Sequence, residues 1–163
     1  MAFANNPKLV STLAGDAGEL SHTNVGTGTS AFLEGEIVKC TSGVITVAKT
    51  SDGLMTETTV WGQALQDDGA AATEVQVQLI YPWQVWKIKL SASGVANTAA
   101  SFTKGKAYGL YLSSNVWYAD SDGAAQDQVV YMGPAPSGTE SATTATWGLF
   151  RFSAINCQTI IGE

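Results

Sequence analysis

The chain has 163 residues, of which 45% are hydrophobic and 13% are charged, and its formal net charge is −6. This length suits one compact domain with a real apolar interior. The eight Lys and Arg residues are spread singly along the chain, which argues against nucleic acid as a partner. No stretch approaches the roughly 20 consecutive apolar residues that a membrane-spanning helix requires, so no membrane is expected as a partner either.

The first segment, residues 1–31, is expected to form an extended N-terminal arm. Its four glycines lie among Ser, Thr, Asn and Ala, and its apolar residues follow no regular period. Four apolar side chains are too few for a core but could anchor the arm on another protein: Phe3, Leu9, Val10 and Leu13. The start lacks a basic region followed by an apolar stretch, so we expect synthesis in the cytoplasm without a secretory signal.

Residues 32–163 are expected to form an all-β body, a small barrel or sandwich. Gly or Asp-Gly separates short β-branched and aromatic runs. The clearest strand, Glu74–Tyr81, alternates apolar and polar residues and predicts one buried and one wet face. A second strand containing Trp86, Ile88 and Leu90 is expected to pair with it across the Tyr-Pro-Trp turn, and Val95–Phe102 to form a short helix. The other expected strands are Phe32–Cys40, Val44–Ala48, Thr58–Leu65, Ala107–Leu112, Val116–Ala119, Gln128–Met132 and Trp147–Ile155.

The body contains a weak internal repeat. Residues 32–53 align with residues 102–123 at an offset of 70, with five of 22 positions identical. Three of these five lie in a Ser-Asp-Gly turn, which a glycine-rich β chain also produces by chance. Two alternatives stay open: a duplicated β unit with halves 32–95 and 102–156, or a single irregular body.

No pattern of catalytic or metal-binding residues is found. The single histidine, His22, lies in the arm, where a preorganised base is not expected. Asp120 and Asp122 lie in a run that predicts a turn in which Asp bonds its own backbone, since the spacing departs from a calcium loop. Cys40 and Cys157 are predicted to be free thiols. We therefore expect a protein without enzymatic activity, catalytic residues, bound metal or cofactor.

Exposed aromatic residues are the remaining candidates for a binding surface. Trp86 lies on the same strand face as Ile88 and Leu90 and is expected in the core, whereas aromatic residues near turns are expected to be freer to be exposed to solvent. The candidate interface aromatics are Trp83, Trp117 and Tyr118. Such rings could pack at a subunit interface or stack on sugar rings.

Three segments carry a resemblance to a known family. They are a glycine followed by a strand and a hairpin in Phe32–Ala48, a Trp-Gly-Gln-Ala-Leu step at Trp61–Leu65, and the alternating strand Thr73–Leu79. In this succession the chain resembles the capsid decoration, or cement, proteins of tailed bacteriophages. The resemblance implies a homotrimer on the outer capsid surface of the virion, bridging capsomers of an icosahedral head, with its N-terminal arm on the major capsid protein.

An alternative function stays open at this point. The same composition suits a carbohydrate- or receptor-binding β module of a tail fibre or adhesin, with Trp83 and Trp117 as a stacking platform for sugars. Both functions predict a β-rich chain that binds a partner or forms part of an assembly and has no catalytic activity.

Overall fold

The structure is a computed structural model, and it describes residues 7–12, 33–41, 44–48, 59–66, 76–81, 83–93, 95–122 and 127–153. These residues form β-strands and one short 3-10 turn at Ala99–Ser101, which confirms the all-β class. In the described ranges no helix is long and apolar enough to cross a membrane. In chain order the strands are β1 (Lys8–Thr12), β2 (Ile37–Thr41), β3 (Val44–Val47), β4 (Thr59–Ala64), β5 (Val77–Leu79), β6 (Gln84–Ala92), β7 (Val95–Ala96), β8 (Ala107–Ser113), β9 (Val116–Asp120), β10 (Val129–Pro134) and β11 (Trp147–Phe152).

Five strands close a barrel. They are hydrogen-bonded in the order β6, β11, β10, β8 and β9, and β9 returns to lie parallel to β6. Strand β6 is the longest and shows the alternation expected from its sequence. Its residues Trp86, Ile88 and Leu90 are buried, whereas Lys87 and Lys89 are only half-buried. Since successive side chains of a strand point to opposite faces, the lysines lie on the outside of the barrel.

The barrel interior is filled by large aromatic and aliphatic side chains. The rings of Phe102, Tyr131 and Phe150 pack together at centroid distances of 5.2 to 6.1 Å. The rings of Tyr131 and Phe150 lie so close to the backbone of residue 148 that a Cβ atom there would clash with both, and this residue is Gly148. The further members of this core include Tyr108, Leu110, Trp117, Ala119, Val129 and Phe152.

A second, antiparallel sheet has the order β3-β2-β4-β5. One of its faces packs on the barrel, because Ile37, Trp61 and Ile80 belong to the same buried cluster as the barrel interior. The opposite face carries a separate buried cluster formed by Val38, Ile45, Ala64, Val77 and Leu79. Both faces of this sheet are therefore covered.

The two sheets repeat one structural pattern. Gly35 before β2 and Gly105 before β8 lie 70 residues apart, and both adopt a positive φ, 88° and 82°, that suits glycine. Each glycine N–H donates to a carbonyl of the third strand of its unit, Ala64 or Tyr131, at 2.8 Å. The strand orders β3-β2-β4-β5 and β9-β8-β10-β11 correspond one to one. The described parts of the two units thus share a strand order and a glycine turn, and a duplication with halves 32–95 and 102–156 stays a prediction.

Part of the segment expected as an arm belongs to the body. Strand β1 pairs antiparallel with β6, and the register shifts between Leu9 and Ser11, so that Val10 is an extra residue. The side-chain amide of the buried Gln63 donates to the backbone oxygens of Pro7 and Gly35, the latter at 3.0 Å. The rest of residues 1–31 lies outside the described part of the chain.

The expected hairpin around the Tyr-Pro-Trp turn is wrong. Strand β5 covers only Val77–Leu79 and pairs with β4, whereas β6 pairs with β1, β11, β7 and β9 in the other sheet. The wet face expected for Glu74–Tyr81 is also wrong at Gln78, which is buried. The physical reason is that both faces of this sheet are covered, so polar and apolar side chains of the strand are buried alike.

Two further expectations about local structure need correction. The short helix expected over Val95–Phe102 is replaced by β7 and the 3-10 turn, because Ala99 N–H bonds to Ala145 and Phe102 enters the core. The strand expected from Phe32 begins only at Ile37, because residues 33–36 form the turn around Gly35.

Candidate interaction surfaces

Strand β1 is an edge of the larger sheet. Among the described strands it pairs only with β6, so none of them occupies its other edge. Its bulged residue Val10 is 53% exposed, which is unusual for a valine within a β-strand. The surface at β1 therefore combines a strand edge that no described strand occupies with an exposed apolar side chain.

The four predicted arm residues have different outcomes. Val10 is exposed on β1. The backbone of Leu9 is paired with that of Trp86. Phe3 and Leu13 lie outside the described residues.

A stacked pair of aromatic rings lies at the turn before β6. Tyr81 and Trp83 have ring centroids 4.6 Å apart and planes only 9° from parallel. The backbone of the turn is fixed by the buried Gln84, whose side-chain oxygen accepts the Tyr81 N–H at 2.9 Å and whose own N–H donates to the Tyr81 carbonyl at 3.1 Å. Because Trp83 remains 37% exposed, the predicted surface position of this ring agrees with the structure.

The other two candidate aromatics occupy opposite faces of β9. Trp117 is 0% exposed and lies in the barrel core, so the expectation that it is exposed is wrong. Tyr118 is half-buried on the outside of the barrel, where its backbone pairs with Lys89. The run Val116–Ala119 is too short for its alternation to show which aromatic ring faces inward.

Two lysines and a tryptophan meet on the outer face of the barrel. The Nζ atoms of Lys87 and Lys89 lie 5.3 and 5.5 Å from the ring centroid of Trp147 on the neighbouring strand β11. These distances are typical of cation–π contacts. The spacing of the lysines in the sequence predicts that they share a face, but only the pairing of β6 with β11 adds Trp147 to them.

Two carboxylates among the described residues, those of Asp120 and Glu140, accept hydrogen bonds that hold turns. The side-chain oxygen Oδ1 of the buried Asp120 accepts the N–H groups of Ser93 at 2.7 Å and Asp122 at 3.2 Å, which confirms the predicted Asp turn. Glu140 accepts the Thr146 hydroxyl at 2.7 Å and the Ser137 N–H at 2.9 Å. These hydrogen bonds, the Thr146 hydroxyl first, hold the pKa of Glu140 below its ordinary value of 4.5.

No group of three or more potential metal-ligating side chains occurs within the described ranges. Comparison of the chain with protein-family models, with curated proteins and with solved structures found no match.

Proposed function

We propose that this chain is a non-enzymatic structural protein that binds the outer surface of an icosahedral phage head, as a trimer, and stabilises the head by bridging capsomers. The observation that carries the proposal is the edge strand β1, which joins the N-terminal segment to the body and presents Val10 to solvent. The sequence resemblance to phage decoration proteins supplies the identity of the partner.

A strand edge that none of the described strands occupies supports binding by strand addition. A partner strand would form main-chain hydrogen bonds with β1, and side-chain pockets would supply specificity. The bulge at Val10 interrupts the regular hydrogen-bonding pattern, and such bulges protect edge strands from indiscriminate pairing. The surface is thus suited to one matching partner, in this proposal the major capsid protein.

Stabilisation of the head follows from mass action. A protein that binds only the assembled lattice shifts the equilibrium towards that lattice. A trimer contributes three contacts at once, so the effective concentration of the second and third is raised and each contact can be weak.

The test compares two exposed valines. Val10→Glu places a charge on β1, and Val95→Glu is the matched control on β7, where the valine is 69% exposed. Burying a valine in an interface contributes about 1.5–3 kcal/mol, so Val10→Glu should weaken head binding by about tenfold or more, and Val95→Glu should not. Binding is measured by co-sedimentation with expanded, undecorated phage heads, together with the temperature at which the heads rupture.

Heads that gain no heat resistance from the wild-type protein, and that do not sediment it, would refute the proposed function. Equal binding by the wild type and Val10→Glu would refute the role of β1.

A second candidate function, carbohydrate binding, is favoured by the stacked pair of Tyr81 and Trp83. A ring that is held in place and partly exposed suits the apolar face of a sugar, since little side-chain entropy is lost on binding. A glycan array would show binding that Trp83→Ala abolishes. The control is Tyr111→Ala, which removes a half-buried aromatic ring elsewhere on the surface, and an array without signal would contradict carbohydrate binding.

A further inference from the structure

The outer face of the barrel carries a group of cations and aromatic rings. The proposed contact with the head is made through β1 and does not involve this group. Lys89 on β6 pairs with Trp147 on β11 and with Tyr118 on β9, so the three side chains lie side by side across three strands. Lys87 follows at the next outward position of β6, and Arg151 lies two outward positions beyond Trp147 on β11, with Leu149 between them. We call this surface the outer strip: Lys87, Lys89, Tyr118, Trp147 and Arg151.

The ammonium groups of the outer strip are held by contacts with an aromatic ring and a hydroxyl. Lys87 and Lys89 hold their Nζ atoms over the Trp147 ring, which orients the ammonium groups without neutralising them. Lys87 also donates to the Ser137 hydroxyl at 3.0 Å and has Glu140 as a neighbouring charge. Within the described ranges Lys89 forms no ion pair with a carboxylate. The strip is thus a positively charged surface with aromatic rings in its middle.

This positive surface contrasts with the rest of the chain. Lys87, Lys89 and Arg151 are three of the eight basic residues, which leaves five basic against 14 acidic residues elsewhere, a net charge of −9. Three cations are few for a phosphate backbone, and the remaining charge repels one. Tyrosine, tryptophan and arginine are instead the residues enriched at protein interfaces. A protein partner with an acidic surface fits the strip best.

We propose that the outer strip binds carboxylates of a second copy of this chain, in which acidic residues outnumber basic ones, in a head-to-tail contact. This inference rests on the proposed trimer and names its interface. A two-fold contact of strip on strip would place like charges opposite each other. A contact between two different surfaces avoids this repulsion, and such contacts close into rings such as trimers.

The experiment measures self-association of the full-length protein by sedimentation velocity and light scattering at about 50 mM and about 500 mM salt. We expect trimers at low salt that dissociate at high salt. Lys89→Glu should lower the association constant by at least about tenfold, because it places like charges at the contact. The control is Lys104→Glu, which makes the same charge change at an exposed turn outside the strip and should leave association unchanged.

Circular dichroism verifies that each variant is folded. If Lys89→Glu does not fold, Lys89→Gln serves as a milder variant. A wild-type protein that is monomeric at both salt concentrations would overturn the inference, as would an oligomer that neither Lys89 variant weakens. Binding of single-stranded DNA that Lys89→Glu abolishes, without self-association, would overturn it in favour of nucleic acid. Head binding is measured separately through Val10→Glu, so failure of the interface and failure of the proposed function are distinguishable.

Discussion

Replacing Gly148 by alanine tests the packing of the barrel. A Cβ atom at this position would lie 2.7 Å from Cε2 of Phe150, 2.7 Å from Cε2 of Tyr131 and 3.0 Å from Cδ2 of Leu90. Carbon atoms pack at about 3.5 Å or more, so both rings must move by about 0.8 Å. Phe150 and Tyr131 are 0% and 3% exposed, and Phe102 packs against both, so neither ring can move outward freely.

Overpacking of this kind costs about 1–3 kcal/mol, and two confined rings place Gly148→Ala in the upper half of that range. For a chain of this length we expect the melting temperature to fall by about 4–12 °C. Calorimetry and chemical denaturation measure the effect. Gly105→Ala is the control for a substitution without overpacking. Its cost of about 1–2 kcal/mol comes from the positive φ alone, because no atom lies within 4 Å of the added methyl.

Relief of the contact provides a second test of the same reasoning. In the Gly148→Ala background, Phe150→Leu removes ring atoms next to the new methyl, so the double variant should lose less stability than the sum of the two single variants. A Gly148→Ala protein destabilised by less than about 0.5 kcal/mol would refute the packing argument. Strict additivity of the two substitutions would refute the proposed contact.

Two further predictions concern single polar side chains. Gln63→Leu leaves the buried carbonyl oxygens of Pro7 and Gly35 without their donor, which costs about 1–3 kcal/mol. Amide hydrogen exchange should therefore accelerate more at β1 than in the barrel. The control Gln78→Leu loses only a bond to the neighbouring Leu79 carbonyl, so it should not accelerate exchange at β1 more than elsewhere. The lowered pKa of Glu140 means that its charged form stabilises the fold above the ordinary value of 4.5, and this contribution is lost as the pH falls through the lowered pKa. Unfolding measured from neutral to acidic pH should thus show a steeper loss of stability for the wild type than for Glu140→Gln, and parallel curves would contradict the assigned hydrogen bonds.

Local features of the fold were predictable because they depend on neighbouring residues. The alternation in Gln84–Ala92 predicts a strand with Trp86 inside and the lysines outside, as observed. The hairpin of β2 and β3 follows from two apolar runs separated by a short glycine turn. The aligned glycines 35 and 105 marked the start of each repeated unit, although their equal role became visible only from their hydrogen bonds.

The surfaces were less predictable, because they depend on residues far apart in the sequence. Nothing in the run Val116–Ala119 distinguishes the buried Trp117 from the half-buried Tyr118, since each face of the strand has one aromatic ring. The cluster of Lys87, Lys89 and Trp147 requires that residues about 60 positions apart lie on adjacent strands. The sequence did indicate Trp83 correctly, because a residue in a tight turn is seldom buried.

By itself the sequence determined the all-β class, the glycine turns, the inner and outer faces of the long strand and the scarcity of charge. Each of these is set within a few residues by backbone sterics or by a two-residue period. Tertiary structure alone decided that β5 and β6 part into different sheets, that β9 closes the barrel alongside β6, and that Gln78 is buried. The reason is that strand pairing is non-local: main-chain hydrogen bonds are the same for any partner, and the choice among partners is made by how all the side chains pack together.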